Sequence, residues 1–270
     1  TPIRLGQEFL GYSGQIELAI NRIEGALKEL SFLALGGTAV GTGIGMQKGF
    51  SKKVIDKLSQ RFNIKFSESP NHFQSQSTID AIVQASGSLK TTAVSLMKIG
   101  NDIRWLGSGP RAGIGEISLP EVQPGSSIMP GKINPVIAES LTMACAQVIG
   151  NDQTITIAGQ SGNFELNVMM PVAAYNILQS IDLLSSSSRN FAVQCIDGLS
   201  ATGKGPKMVE NGLAICTALA PKIGYDNAAN IAHIASNSGE SILEVAIRET
   251  EYSAEELKVI LNAEKMTEPS

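Results

Sequence analysis

The chain has 270 residues, enough for one large domain or for a large and a small domain with a sizeable core. Apolar residues make up 43% and charged residues 17% of the sequence, and the net charge of −4 argues against nucleic acid as a partner. No run of about 18 apolar residues is present, so we expect no membrane partner. The three cysteines lie far apart, which argues against a disulfide framework and a zinc site and fits a reducing compartment such as the cytoplasm.

Apolar residues recur at steps of three and four over much of the chain, which predicts helices. The first helix is expected over residues 3–34, with Pro2 near its first position. A shorter helix is expected over 51–61 and a very long one over 76–106, about 45 Å at the usual rise per residue. Helices of this length predict a bundle of extended helices with no sheet of more than two strands.

Two more long helices are expected over 135–158 and 168–194. The predicted elements then shorten, and they lie at 207–219, 225–237, 239–249 and 253–261. Ser253 and Glu256 have the spacing of a capping box at the start of the last one. We therefore predict an all-α chain with two domains, a helical bundle in 1–203 and a small helical domain in 204–270.

Glycine-rich loops are expected at 36–45 and 106–134, but neither fits a nucleotide-binding motif. Five residues separate Gly125 from Gly131, where a phosphate-binding loop has four, and the residue after Lys132 is not serine or threonine. The two histidines, His72 and His233, are isolated and are expected to be surface or capping residues.

Residues 124–135 read PGSSIMPGKINP and place several polar or charged side chains in a short loop. The loop contains hydroxyls, a lysine and an asparagine, at Ser126, Ser127, Lys132 and Asn134. The following helix begins at Pro135, so its positive dipole end adjoins the loop. This combination suits a small carboxylate ligand. The residues alone leave two interpretations open, a passive linker and an anion-binding or catalytic loop.

The loop sequence resembles the signature GSSxMPxKxN of the fumarase/aspartase superfamily at every fixed position. Several other stretches resemble class II (iron-independent) fumarases: GGTAVGTG, SLMKIGNDIRWLGSGPRAGIGEI, TMACAQVIGND, SGNFELNV, TALAPKIGYDNAA and KMTEP. The resemblance covers essentially the whole chain. It implies an L-aspartase-like central helical bundle and reversible trans hydration of fumarate to L-malate, with no metal or organic cofactor.

The resemblance also implies roles for residues in and after the loop 120–134. Ser126 matches the general base, and Glu139 matches a glutamate that orients a catalytic histidine. Four residues match positions that bind the substrate in the family, namely Ser127, Lys132, Ile133 and Asn134. The matching histidine lies in a stretch of which this chain contains only the final Thr1-Pro2. We therefore expect a fragment that lacks the N-terminal part and is inactive alone.

Two other functions remain open. An aspartate ammonia-lyase of the same superfamily is favoured by the Val-Ile pair at 136–137, whereas Gly131 before the signature lysine favours a fumarase. A non-catalytic structural protein or inactive fragment of this fold is the second alternative, and an intact signature argues against it. The family also implies a homotetramer with active sites shared between subunits, and a cytoplasmic location, or a mitochondrial one in a eukaryote.

Overall fold

A computed structural model of the chain describes residues 1–269. Within these residues the only strands form two two-stranded ladders, so the predicted all-α class is confirmed. The chain divides into two compact units. The bundle unit comprises Ser13–Arg104 and Pro120–Gly198, and the terminal unit comprises Thr1–Tyr12, Trp105–Leu119 and the chain from Leu199 onward.

The first ten elements, in chain order, are α1 (Leu5–Leu30), β1 (Phe32–Leu33), α2 (Phe50–Phe62), β2 (Ser67–Glu68), α3 (His72–Ser77), α4 (Asp80–Leu106), β3 (Ile117–Ser118), α5 (Val136–Gly159), α6 (Met170–Phe191) and β4 (Ser200–Ala201). Five α-helices follow, α7 (Lys204–Glu210), α8 (Ala220–Ile223), α9 (Tyr225–Ser238), α10 (Ile242–Glu249) and α11 (Ala254–Ile260). A π-helical turn (Ala192–Ile196) extends α6, and two 3₁₀ segments lie at Leu213–Leu219 and Lys265–Thr267.

Helix α5 packs against both α4 and α6 in the bundle unit. It buries an apolar face at alternating three- and four-residue steps, formed by Ala138, Leu141, Cys145, Val148, Ile155 and Ala158. Helix α4 runs antiparallel to it: Gly100 faces Leu141 at one end, and Ser86 bonds Asp152 at the other. Helix α6 is also antiparallel to α5, because Ala158 packs with Ala173 at one end and Asn151 donates to the Ser180 hydroxyl farther along.

The helix boundaries differ from prediction in three places within the bundle unit. Helix α1 ends at Leu30 instead of residue 34, because β1 pairs in parallel with β2. The predicted helix 76–106 starts at Asp80, because the extended backbone of Thr78 separates it from α3. The predicted helix 168–194 continues past Phe191 as a π-helical turn.

An apolar groove with a volume of about 420 Å³ runs between α1, α4 and α6 in the bundle unit. Its walls are formed by alanine, leucine and isoleucine side chains with a few hydroxyls, among them Ile16, Ile23, Leu27, Leu89, Leu96 and Ile181. Exposed Leu18 and Ile20 extend the apolar surface of α1. None of the helices that residues 1–269 form is long and apolar enough to cross a membrane.

The terminal unit has its own core, built from the 3₁₀ segment and the short helices. Its most buried apolar side chains include Leu219, Ile231, Ile242, Val245 and Leu257. The predicted helix 207–219 is wrong as a single element, because the extended backbone of Gly212 separates α7 from the 3₁₀ segment. The predicted capping box at Ser253 and Glu256 is confirmed, and a second one joins Ser241 to Glu244.

Candidate functional site

The signature loop, residues 120–134, has no regular secondary structure and leads into α5 in the bundle unit. Its backbone folds back on itself, since a Cβ atom on Gly125 would lie 1.9 Å from the carbonyl oxygen of Lys132. Only glycine allows so close an approach. Gly131 has a φ of +75°, a left-handed conformation that glycine also favours. The two glycines therefore specify a closed loop.

The hydroxyl of Ser126 accepts two backbone hydrogen bonds within this loop. The N–H of Ile128 donates to Oγ over 3.1 Å, and the N–H of Met129 donates over 3.0 Å. Hydrogen bonds donated to an oxygen favour its negatively charged form. The Ser126 residue is half-buried. This geometry suits a serine oxygen that must carry negative charge when it acts as a base.

Asn134 closes the loop. Its Nδ2 donates to the carbonyl oxygen of Gly125 over 2.5 Å, which ties the end of the loop to its middle. The side-chain amide carries a second N–H and a carbonyl oxygen, and neither has a partner within residues 1–269. The amide can thus stabilise the loop and still offer one donor to a ligand.

The other three predicted substrate-binding residues face solvent. Ser127 and Lys132 are exposed, and Ile133 is 40% exposed. Within the described chain no hydrogen bond or ion pair engages the Ser127 hydroxyl or the Lys132 ammonium group. A carboxylate can therefore bind both groups without displacing an internal partner.

Glu139 lies in the first turn of α5, where a negative charge is favoured by the helix dipole. Its peptide N–H donates to the carbonyl oxygen of Pro135 over 3.0 Å, which fixes the backbone. Its carboxylate Oε1 lies 3.7 Å from Nη2 of Arg104, a residue in the last turn of α4. Glu139 therefore contacts α4, whereas Ser126 and Asn134 make their hydrogen bonds inside the signature loop.

Sequence reasoning did not single out Arg104. Its guanidinium also donates from Nη1 to Oδ1 of Asn101, so α4 contributes a polar end facing α5. A signal was present: an arginine in the last turn of one long helix and a glutamate in the first turn of an antiparallel neighbour meet at the same end of a bundle. Using that signal required knowing that α4 and α5 are neighbours.

Sequence profiles of protein families match two parts of the chain. A profile described as "Lyase" matches residues 1–150, more than half of the chain, and one described as "Fumarase C C-terminus" matches residues 215–268. The chain belongs to the fumarase/aspartase superfamily of lyases. Its long antiparallel helices and signature loop are thus features of that superfamily in this sequence.

Relatives within the superfamily point to class II fumarases. The chain is 52% identical to "Fumarate hydratase class II" of Rickettsia bellii and 48% identical to "Fumarate hydratase 2" of Arabidopsis thaliana, over its full length in both cases. It spans 58% of the length of the first relative and 54% of the second.

Solved structures agree with this assignment. The fold matches a fumarate lyase/delta crystallin from Brucella melitensis bound to cobalt, with a TM-score of 0.95, 42% identity, and coverage of 100% of this chain and 58% of that one. It also matches recombinant class II fumarase from Schistosoma mansoni, with a TM-score of 0.95, 37% identity, and coverage of 99% and 59%.

Proposed function

We propose that the full-length protein containing this chain is a fumarate hydratase that interconverts fumarate and L-malate by trans addition of water. One observation supports this most strongly: the Ser126 oxygen accepts two backbone N–H groups in a loop that also presents Ser127 and Lys132 to solvent. A base whose charged form is stabilised thus lies in the same loop as donors for a carboxylate.

The proposed chemistry is clearest in the direction from malate to fumarate. The Ser126 alkoxide removes a proton from the carbon next to one carboxylate and becomes a hydroxyl, and the electron pair enters that carboxylate to give a dianionic aci-carboxylate. The Ser127 hydroxyl, the Lys132 ammonium group and the second N–H of Asn134 stabilise the added charge. Donors fixed before the reaction contribute most to such stabilisation. Expulsion of hydroxide, protonated as it leaves by the catalytic histidine that we propose below, then gives fumarate and water.

Glu139 has a supporting role in this proposal. The family resemblance implies that Glu139 orients a catalytic histidine, and neither His72 nor His233 matches that histidine. We therefore propose that the histidine comes from chain outside these 270 residues. A carboxylate can hold such an imidazole in one orientation and stabilise its protonated form. The 270-residue chain alone should then lack hydratase activity.

We further propose that the protein is a homotetramer with active sites shared between subunits. The apolar groove between α1, α4 and α6 and exposed residues on α6, among them Tyr175 and Leu178, support this, because such surfaces are normally covered by another chain or segment.

The division of the chain at residue 204 and a cytoplasmic location, or a mitochondrial one in a eukaryote, are also proposals. All three cysteines are free and buried, as expected in a reducing compartment.

A substrate comparison on the full-length protein tests the proposed function. Fumarate should form from L-malate and not from L-aspartate, followed by the ultraviolet absorbance of the new double bond. Formation of fumarate and ammonia from aspartate would instead identify an ammonia-lyase. Inactivity with both substrates would contradict an enzymatic role for the signature loop.

A further inference from the structure

The guanidinium of Arg104 makes two polar contacts within the bundle unit. Nη1 donates to Oδ1 of Asn101 on the same helix over 3.0 Å, which anchors one side of the group. Nη2 lies 3.7 Å from Oε1 of Glu139. Nε is buried and has no hydrogen-bond partner among residues 1–269. The group is therefore held on α4 and extends toward a carboxylate on α5.

This geometry differs from that of an arginine retained for stability alone. A stabilising arginine–carboxylate pair is usually bidentate, with two parallel N–H···O bonds. Here the separation from Glu139 is too long for a hydrogen bond, and the buried Nε–H is left unsatisfied, which is unfavourable. Contacts that serve catalysis are often long before the substrate binds and shorten in the complex.

Arg104 is the side chain that can determine where the Glu139 carboxylate lies. The backbone of Glu139 is fixed by its N–H bond to Pro135 and by the helix that follows, so only its side-chain torsions vary. Among the described residues Arg104 provides the one ion pair to this carboxylate. The pair also joins α4 to α5 directly after the signature loop.

We propose that Arg104 is a positioning residue that acts through Glu139. It favours the carboxylate orientation needed to align the proposed catalytic histidine and does not itself touch the substrate. This inference rests on the proposed hydration of fumarate and deepens it, because it adds a residue outside the signature to the machinery of that reaction.

A double-mutant cycle on the full-length protein separates positioning from a structural role. Arg104→Ala should lower kcat about ten- to a hundredfold, the loss expected from a misplaced catalytic group. KM should change little, because Arg104 does not contact the substrate. Arg104→Lys should recover part of the loss, since the charge remains without the planar fork. In a Glu139→Gln background, Arg104→Ala should have no further effect.

Arg61→Ala is the matched control, because Arg61 is an exposed arginine whose guanidinium lies over the neighbouring Phe62 ring. It should leave kcat unchanged. If Arg104→Ala lowers the midpoint of thermal unfolding, Arg104→Lys replaces it in the cycle. Losses that multiply in the double variant would overturn the inference and leave the proposed function standing. No fumarate hydration by the unmodified protein would overturn both.

Discussion

Gly125→Ala is the substitution that the structure predicts to be most damaging to the signature loop. The new Cβ would lie 1.9 Å from the carbonyl oxygen of Lys132 and 2.5 Å from its carbonyl carbon, and both are backbone atoms. An ordinary carbon–oxygen contact is about 3.5 Å, so the two backbone segments must separate by about 1.5 Å. That movement breaks the hydrogen bond from Asn134 to residue 125 and displaces the adjacent Ser126.

A displacement of about 1 Å at a catalytic group can lower the rate about a hundredfold. We therefore expect Gly125→Ala in the full-length protein to lower kcat for malate dehydration by at least that factor, measured by ultraviolet absorbance. Gly131→Ala is the comparison within the loop: nothing lies within 4 Å of its Cβ, and only the cost of its positive φ remains, about 1–2 kcal/mol. Wild-type activity in Gly125→Ala would refute the closed loop as the active conformation.

Three other predictions concern the loop and the bundle core. Proteolytic cleavage within 120–134 should slow when malate is saturating, because a bound dicarboxylate joins loop residues to one another; unchanged cleavage would contradict this. Lys90→Met should lower the free energy of unfolding by about 3 kcal/mol, the low end for a buried pair because Lys90 is 40% exposed, since the buried Asp152 carboxylate, 2.6 Å from Lys90 Nζ, loses its counterion. An unchanged denaturation midpoint would argue against that pair. Burial raises the pKa of Cys145 and Cys195 to about 11, so a thiol reagent should label neither at neutral pH until denaturant is added.

The sequence predicted the long helices because their apolar spacing persists over many turns. Their ends depended on contacts that spacing does not reveal. Phe32 leaves the helical path because it pairs with Ser67, which lies far along the chain. Thr78 interrupts the expected helix because its extended backbone ends α3, where the Gln74 side chain donates to the Thr78 hydroxyl. Both boundaries were set by interactions that period analysis omits.

The candidate site, like the helices, was predicted from the sequence only in part. The signature motif identified Ser126 as the candidate general base, and a serine that acts as a base needs N–H donors to stabilise its negative charge. Which groups supply them depended on the loop conformation, and they are the N–H groups of Ile128 and Met129. Arg104 was missed because its contact with Glu139 joins two helices that lie apart in sequence. Motifs therefore predicted Ser126 as the candidate base, whereas tertiary structure was needed to find the groups that surround it.

The kcat of the full-length Ser126→Ala variant shows whether Ser126 is the general base. Ser127→Ala is the matched control, since it removes the neighbouring hydroxyl and keeps the backbone N–H. Ser126→Ala should lower kcat by about two to four powers of ten with a much smaller change in KM, and Ser127→Ala should be milder. Equal losses in the two variants, or full activity in Ser126→Ala, would contradict it.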